Sequence, residues 1–335
     1  MNIILIRRMI ILHIPKELVL LIVSFLDTSS KFSLKFITKY FAIMFCSLRI
    51  KEDIIIDAVS NGYTDTVRWL MSEDDCGYCD VVSKGYFKFK NIFVAAIQSD
   101  CLEIVEWLYD THKNEYSLGY GHYEKVASNG KFEILKWLRT KFCENGCPWN
   151  ANACYCAAVN GHFEILKWLR ENGCPWDTAT CYGAAKNGHV EILKWLHENG
   201  CPWNGNACSG AAKNGHFEIL KWLRENECPW NEGTCSGAAE NGHFKILKWV
   251  HENGCPWNEN ACSGAAKYGH FEILKWLREN GCPWDTYACC HAASGGNFGI
   301  LRWLRKNGCP CDENNIYYHA NIHGHFEISK WLREN

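Results

Sequence analysis

The chain has 335 residues, 47% of them hydrophobic, with 16 Trp, 21 Cys and 8 Pro, a composition that suits a compact fold and excludes a disordered one. Its 35 Lys and Arg against 37 Asp and Glu leave a net charge of −2, without the basic excess a nucleic-acid binder uses to neutralise phosphates. Cysteine, about 6% of residues, falls below the level of disulfide scaffolds and its count is odd, so we read the thiols as reduced and the protein as intracellular and cytoplasmic.

The N-terminal stretch MNIILIRRMIILHIPKELVLLIVSFL is the most apolar, but Arg7, Arg8, Lys16 and Glu17 interrupt it before the roughly 18 apolar residues of a membrane span accumulate. Arg7 and Arg8 lie inside the apolar run and no A-x-A-like site follows, which argues against a signal peptide. Neither membrane insertion nor export is expected. Pro15 suits a first helical position, and Leu18, Ile22, Phe25 and Leu26 form one stripe at i, i+4, i+7 and i+8. Residues 27–30 break that helix, and a second stretch rich in Phe, Ile and Leu follows over 32–45. On Ile14-Pro15, Glu17-Leu18, Ile22 and Phe25-Leu26, residues 1–50 resemble an F-box, with Ile in place of the first Leu and a less basic ending. The resemblance implies that Ile14, Pro15, Leu18, Ile22, Phe25 and Leu26 dock a Skp-family linker of a cullin-RING ubiquitin ligase. A second reading makes this segment only a cap on the repeats that follow.

Those repeats dominate the rest of the chain. The phrase NGHFEILKWLRENGCPW recurs with small changes, placing tryptophans at 168, 195, 222, 249, 276 and 303 in steps of 27 residues. Looser copies put the same tryptophan at Trp69, Trp107, Trp137 and Trp331, giving ten units in all. Within residues 201–227, Asn214-Gly215 is a breaker, and Phe217, Ile219, Leu220, Trp222 and Leu223 make one face of a helix. The helix before it, Ala207 to Lys213, carries an Ala211-Ala212 pair that permits close backbone approach. Neither helix can bury its stripe alone, so the units are expected to stack side by side as a solenoid.

The phrase AA-x-N-G-H-x-E-I-L-K-x-L-x-E-N-G resembles the ankyrin repeat over residues 51–335, with a period shorter than the usual ~33. Aligning Cys201-Pro202-Trp203-Asn204 with the family's turn puts the missing residues at the hairpin tip. The expected fold is therefore all-α, an ankyrin-like helical-repeat solenoid with trimmed hairpins behind a small helical F-box-like segment. We expect divergent repeats over 51–145 and regular ones over 146–335, ending in a cap that carries Cys311, Asn321 and Ser329. The insertion Thr140-Lys141-Phe142-Cys143 should lengthen one helix by about a turn. Tryptophan is expected to fill the core where the hairpins are trimmed, and cysteine to occupy small buried positions. The F-box-like start joined to Cys-Pro-Trp repeats resembles repeat proteins of large DNA viruses of amoebae, which implies a host-directed role in the host cytoplasm.

No catalytic constellation stands out, and no enzyme activity or cofactor is expected. The histidines at 162, 189, 216, 243, 270 and 325 sit in the repeated Gly-His turn, where each is expected to bond backbone at its helix start. Cys76-Gly-Tyr-Cys79 is a single CxxC without a partner, and Cys289-Cys290-His291 reads as one core cysteine and two surface variants. A thiol-rich metal or redox protein is the weakest alternative. The positions that vary between copies are the informative ones. By resemblance to ankyrin repeats, the residue immediately before each Ala-Ala pair, or Ala-Asn in the last copy, which is glycine in the middle copies, faces a concave groove, as does the residue just after the pair. The groove candidates are Tyr155, Val159, Tyr182, Lys186, Lys213, Glu240, Lys267, His291, Tyr318 and His319. A monomer that binds a protein target there is the expected outcome.

Overall fold

The computed structural model describes residues 52–64, 67–68, 89–112, 120–142 and 149–334, and all regular structure among them is helical. No helix among these residues is long and apolar enough to cross a membrane. Ile14, Pro15, Leu18, Ile22, Phe25 and Leu26 lie outside the described residues, as do Cys76, Cys79 and Cys143. The chain divides into two compact units, Met1–Pro148 and Trp149–Asn335.

In the first unit, α1 (Glu52–Ser60) packs on α2 (Phe89–Ser99), α2 on α3 (Leu102–His112), and α4 (Tyr120–Ser128) on α5 (Phe132–Phe142). Ile92, Phe93, Ile97, Ile104, Leu108, Tyr123, Ile134 and Leu138 form its core. Burial pushes the Tyr123 phenol up to about 12, against the pull of Arg139. Helix α5 has 11 residues against 9 in the regular repeats, so the insertion extends it as far as Phe142.

The second unit is a stack of helix pairs. These are α6 (Ala151–Val159) with α7 (Phe163–Glu171), α8 (Thr178–Lys186) with α9 (Val190–Glu198), and α10 (Gly205–Lys213) with α11 (Phe217–Glu225). They continue as α12 (Glu232–Glu240) with α13 (Phe244–Glu252), and α14 (Glu259–Lys267) with α15 (Phe271–Glu279). The last are α16 (Thr286–Ser294) with α17 (Phe298–Lys306), and α18 (Glu313–Ile322) with α19 (Phe326–Glu334). The first, inner helix of each pair lies against the inner helix of the next.

One repeat explains all of them. Asn204 caps α10, its side-chain oxygen accepting from the Asn206 N–H at 3.0 Å, a contribution of about 1 kcal/mol. Asn150, Asp177, Asn258, Asp285 and Asp312 do the same for their helices. Ala207, Cys208, Gly210, Ala211 and Ala212 are buried, and their small size sets the tight stacking of inner helices. A Cβ at Gly210 would lie 3.0 Å from the Tyr182 ring and 3.3 Å from the Lys186 Cβ. The helix then ends in a Schellman turn: Gly215 takes φ +79° and the His216 N–H reaches the Ala211 carbonyl at 2.9 Å. Helix α11 follows with Ile219, Leu220 and Leu223 buried, and a second such turn brings the Cys228 N–H to the Leu223 carbonyl at 2.9 Å. The chain reaches the next cap through Cys-Pro-Trp, with no strand between, as the deleted hairpin tip leads one to expect.

Several expectations need correction. The turn histidines make no side-chain bond at the start of their own helices; His216 Nε2 instead donates to the Lys186 carbonyl of the preceding repeat at 3.0 Å. A helix N-terminus already presents more donors than acceptors, whereas a helix C-terminus has unpaired carbonyls to satisfy. Trp137 is buried, but the tryptophans of the regular repeats are half-buried rather than core fillers. Trp203 meets Trp222 edge-to-face at 5.9 Å, Phe217 meets Trp249 at 5.5 Å, and Arg224 lies 3.9 Å over Trp230. At alternate repeats a histidine takes the arginine's place, His197 stacking on Trp203 at 4.1 Å. In the last repeat Ser329 does not face water but is buried, and Tyr318, Ile322 and Phe326 are exposed instead.

Candidate protein-binding groove

Two classes of residue occupy the inner helices. The buried small residues recur in nearly every copy, while the residues on either side of them differ from repeat to repeat and reach solvent. Of the sequence candidates, Tyr155, Val159, Tyr182, Lys186, Glu240, Lys267, His291 and His319 are half-buried and Lys213 and Tyr318 exposed. All belong to inner helices of the second unit.

Of the glycines expected to face the groove, Gly264 lines a cleft across α12, α14 and α16 and the three before it do not. Gly183, Gly210 and Gly237 are buried, each pressed against the preceding inner helix, because a side chain there would hold the two helices apart. The Tyr155 ring lies across Gly183 and the Tyr182 ring across Gly210, so the tyrosines supply the surface at that end of the stack. The Lys186 ammonium sits 5.8 Å over the Tyr182 ring. Further along, Lys213 and Glu240 pair with each other at 3.2 Å across adjacent repeats.

Beyond that pair the surface opens. Ser236, Glu240, Asn260, Ser263, Gly264, Lys267, Tyr268 and His291 line a cleft of about 310 Å³ across α12, α14 and α16. His291 stands where the preceding repeats carry the buried glycine. Burial first, then the charges of Lys267 and His319, hold its imidazole below the usual 6.5, while the Ser263 backbone and Asp285 act the other way. Cys290 beside it is buried rather than a surface variant, and burial raises its thiol to about 11. Tyr268 is not among the groove candidates read from the sequence; it replaces the Asn that ends α6, α8, α10 and α12, and that break in the repeat is the signal that could have found it.

The thiols serve the stack. Cys174, Cys201, Cys228, Cys255, Cys282 and Cys309 each donate to the carbonyl of the preceding repeat's cap residue at 3.4 to 3.6 Å. Hydrogen bonding to Cys174 and then burial raise Cys154 well above the usual thiol range, and Cys208 responds in the same way to Cys228. No group of three or more His, Cys, Asp or Glu among the described residues is arranged to hold a metal ion.

A family model for ankyrin repeats matches this chain in three copies over residues 124–207 and 181–261. Residues 124–261 match ankyrin repeats. Ankyrin repeats make protein–protein interaction modules. Among solved structures, the human ASB11 ankyrin repeat domain is 19% identical, with 48% of this chain and 84% of that one covered at a TM-score of 0.38. No curated protein matches the chain significantly.

Proposed function

We propose that the protein is a non-enzymatic adaptor whose inner-helix face, from Tyr155 to His319, captures a target protein. The observation that carries this reading is the division of labour on the inner helices: the packing residues are nearly constant, and variation concentrates on the solvent-reaching positions Tyr155, Tyr182, Lys186, Lys213, Glu240, Lys267, His291 and Tyr318. Aromatic residues such as these are the usual anchors of interface energy. The F-box-like residues Ile14, Pro15, Leu18, Ile22, Phe25 and Leu26 extend the reading. They would dock a Skp-family linker, so that the captured target, a host protein if the viral resemblance is followed, meets a cullin-RING ubiquitin ligase.

The two halves of the proposal separate in one affinity-capture experiment. Tyr182→Ala/Lys186→Glu should lose the target and keep the linker, whereas Leu18→Ala/Ile22→Ala should lose the linker and keep the target. A linker retained by the second variant overturns the ligase connection. If removal of residues 1–50 unfolds the repeats, that segment is a cap.

A further inference from the structure

The cleft between α12, α14 and α16 contains polar groups that the fold leaves unanswered. Ser263 is 2% exposed, and its hydroxyl has no hydrogen-bond partner. Its counterpart two pairs earlier in the same frame, Ser209, has its hydroxyl within hydrogen-bonding distance of the Gly205 carbonyl at 3.0 Å and Asn231 Oδ1 at 2.8 Å. The buried Nδ1 of His291 likewise has no partner. An unmade bond on a buried hydroxyl or imidazole is costly, and a bound group that supplies the partner recovers that cost.

Charge decides what that group is. Lys267 lines the cleft with its ammonium 5.4 Å over the Tyr268 ring, and no carboxylate among the described residues lies within ion-pairing distance of it. The acidic residue in the lining, Glu240, is occupied by Lys213 at 3.2 Å. Asp285, the acid that acts on His291, is engaged as the N-cap of α16, accepting from the Tyr287 N–H at 3.0 Å. The cleft thus offers one uncommitted cation, a hydroxyl and an imidazole nitrogen. Beside them stand two exposed rings, Tyr268 and Tyr287, the latter 6.1 Å from the His291 ring.

From this arrangement, and resting on the target-binding reading above, we infer that the cleft is a carboxylate pocket: it takes an acidic group of the target's peptide chain, with an apolar neighbour laid against the tyrosines. Lys267 supplies the charge, and Ser263 and His291 supply directed hydrogen bonds. The preceding repeats lack this combination: none carries a histidine in place of His291, and the post-alanine charges Lys213 and Glu240 are spent on each other.

The test is selection of a random heptapeptide phage library on the full chain, followed by binding of the selected peptides to purified variants. Selected sequences should be enriched in Asp or Glu, and changing that residue to Gln or Asn should weaken binding at least tenfold. Lys267→Ala should do the same, and so should His291→Gly, which restores a residue the neighbouring repeats already tolerate. Glu198→Lys on the outer helix α9 should not. Amidated and free C-termini distinguish a side-chain carboxylate from a terminal one, and dependence on either supports the pocket. Peptides that lack an acidic residue, or that bind Lys267→Ala unchanged, overturn it. If such peptides are still lost with Tyr182→Ala/Lys186→Glu, the groove stands without the carboxylate pocket; if neither variant affects them, both readings fall.

Discussion

The Nε2 of His216 lies 3.0 Å from the carbonyl oxygen of Lys186, the last residue of the preceding repeat's inner helix, and its Cε1 lies 2.9 Å from where a Cβ on Gly188 would stand. Each repeat therefore finishes the helix of the one before it. His189, His243, His270 and His325 make the same bond to Val159, Lys213, Glu240 and Ser294, and Asn297 makes it to Lys267 with an amide. The stack is joined by this polar bond as well as by apolar burial, which fits a fold in which each repeat depends on its neighbours.

His216→Ala should cost about 1 kcal/mol in urea unfolding, the worth of one hydrogen bond, and His216→Asn less, since Asn297 already performs that role. Gly215→Ala should cost more than Gly200→Ala. Both positions have positive φ, but a Cβ at 215 meets the His243 ring at 2.8 Å, while none of the structure lies within 4 Å at 200.

Glu227 occupies the left-handed turn position that glycine fills in the neighbouring repeats, at φ +62°. Glu227→Gly should stabilise the protein by about 1 kcal/mol, because relief of the left-handed penalty outweighs the added freedom of the unfolded chain. A rise in the urea midpoint with unchanged slope is the expected reading.

Phe244 lies edge-on to Trp276 at 5.7 Å, whereas Phe326 is 69% exposed. Phe244→Ser should destabilise by about 2 kcal/mol, and Phe326→Ser by no more than about 0.5 kcal/mol. Matched chemical denaturation of the two variants checks the difference.

His291 makes the second unit sensitive to acid. Lys267 on α14, His319 on α18 and the burial of the ring disfavour its protonation, while Asp285 at the start of α16 and the Ser263 backbone favour it, with a net lowering from 6.5. A folded imidazole held below its unfolded value contributes stability above pH 6.5, which is lost as pH falls toward the lowered value. The melting temperature of the wild type should therefore drop more between pH 7.5 and 5.5 than that of His291→Gly.

Much of this was legible in the sequence because the same solution is written many times. The 27-residue period, the Asn-Gly breakers and the buried Ile, Leu and Ala positions fixed the helix pairs, and the missing hairpin residues fixed the absence of strands there. What was not legible required knowing which neighbour a side chain meets. The His216 bond crosses 30 residues, so nothing local to its own turn shows whether it points to its own helix or to the previous one. The buried glycines 183, 210 and 237 look like groove positions until the width of the gap between inner helices is known. Ser329 resembles a water-facing cap residue in the sequence, but it is buried while Ile322 and Phe326 are exposed. The cleft beside His291 depends on three repeats at once.

The central claim is that the inner-helix face of the second unit holds the protein target. Its most direct test is site-specific photo-crosslinking in the cells where the protein works, with the crosslinking amino acid placed in turn at position 186 on α8 and at position 198 on α9. Position 186 should capture one recurrent protein and position 198 should not. Capture of that protein from position 198 alone would place the interface on the outer helices and contradict this account.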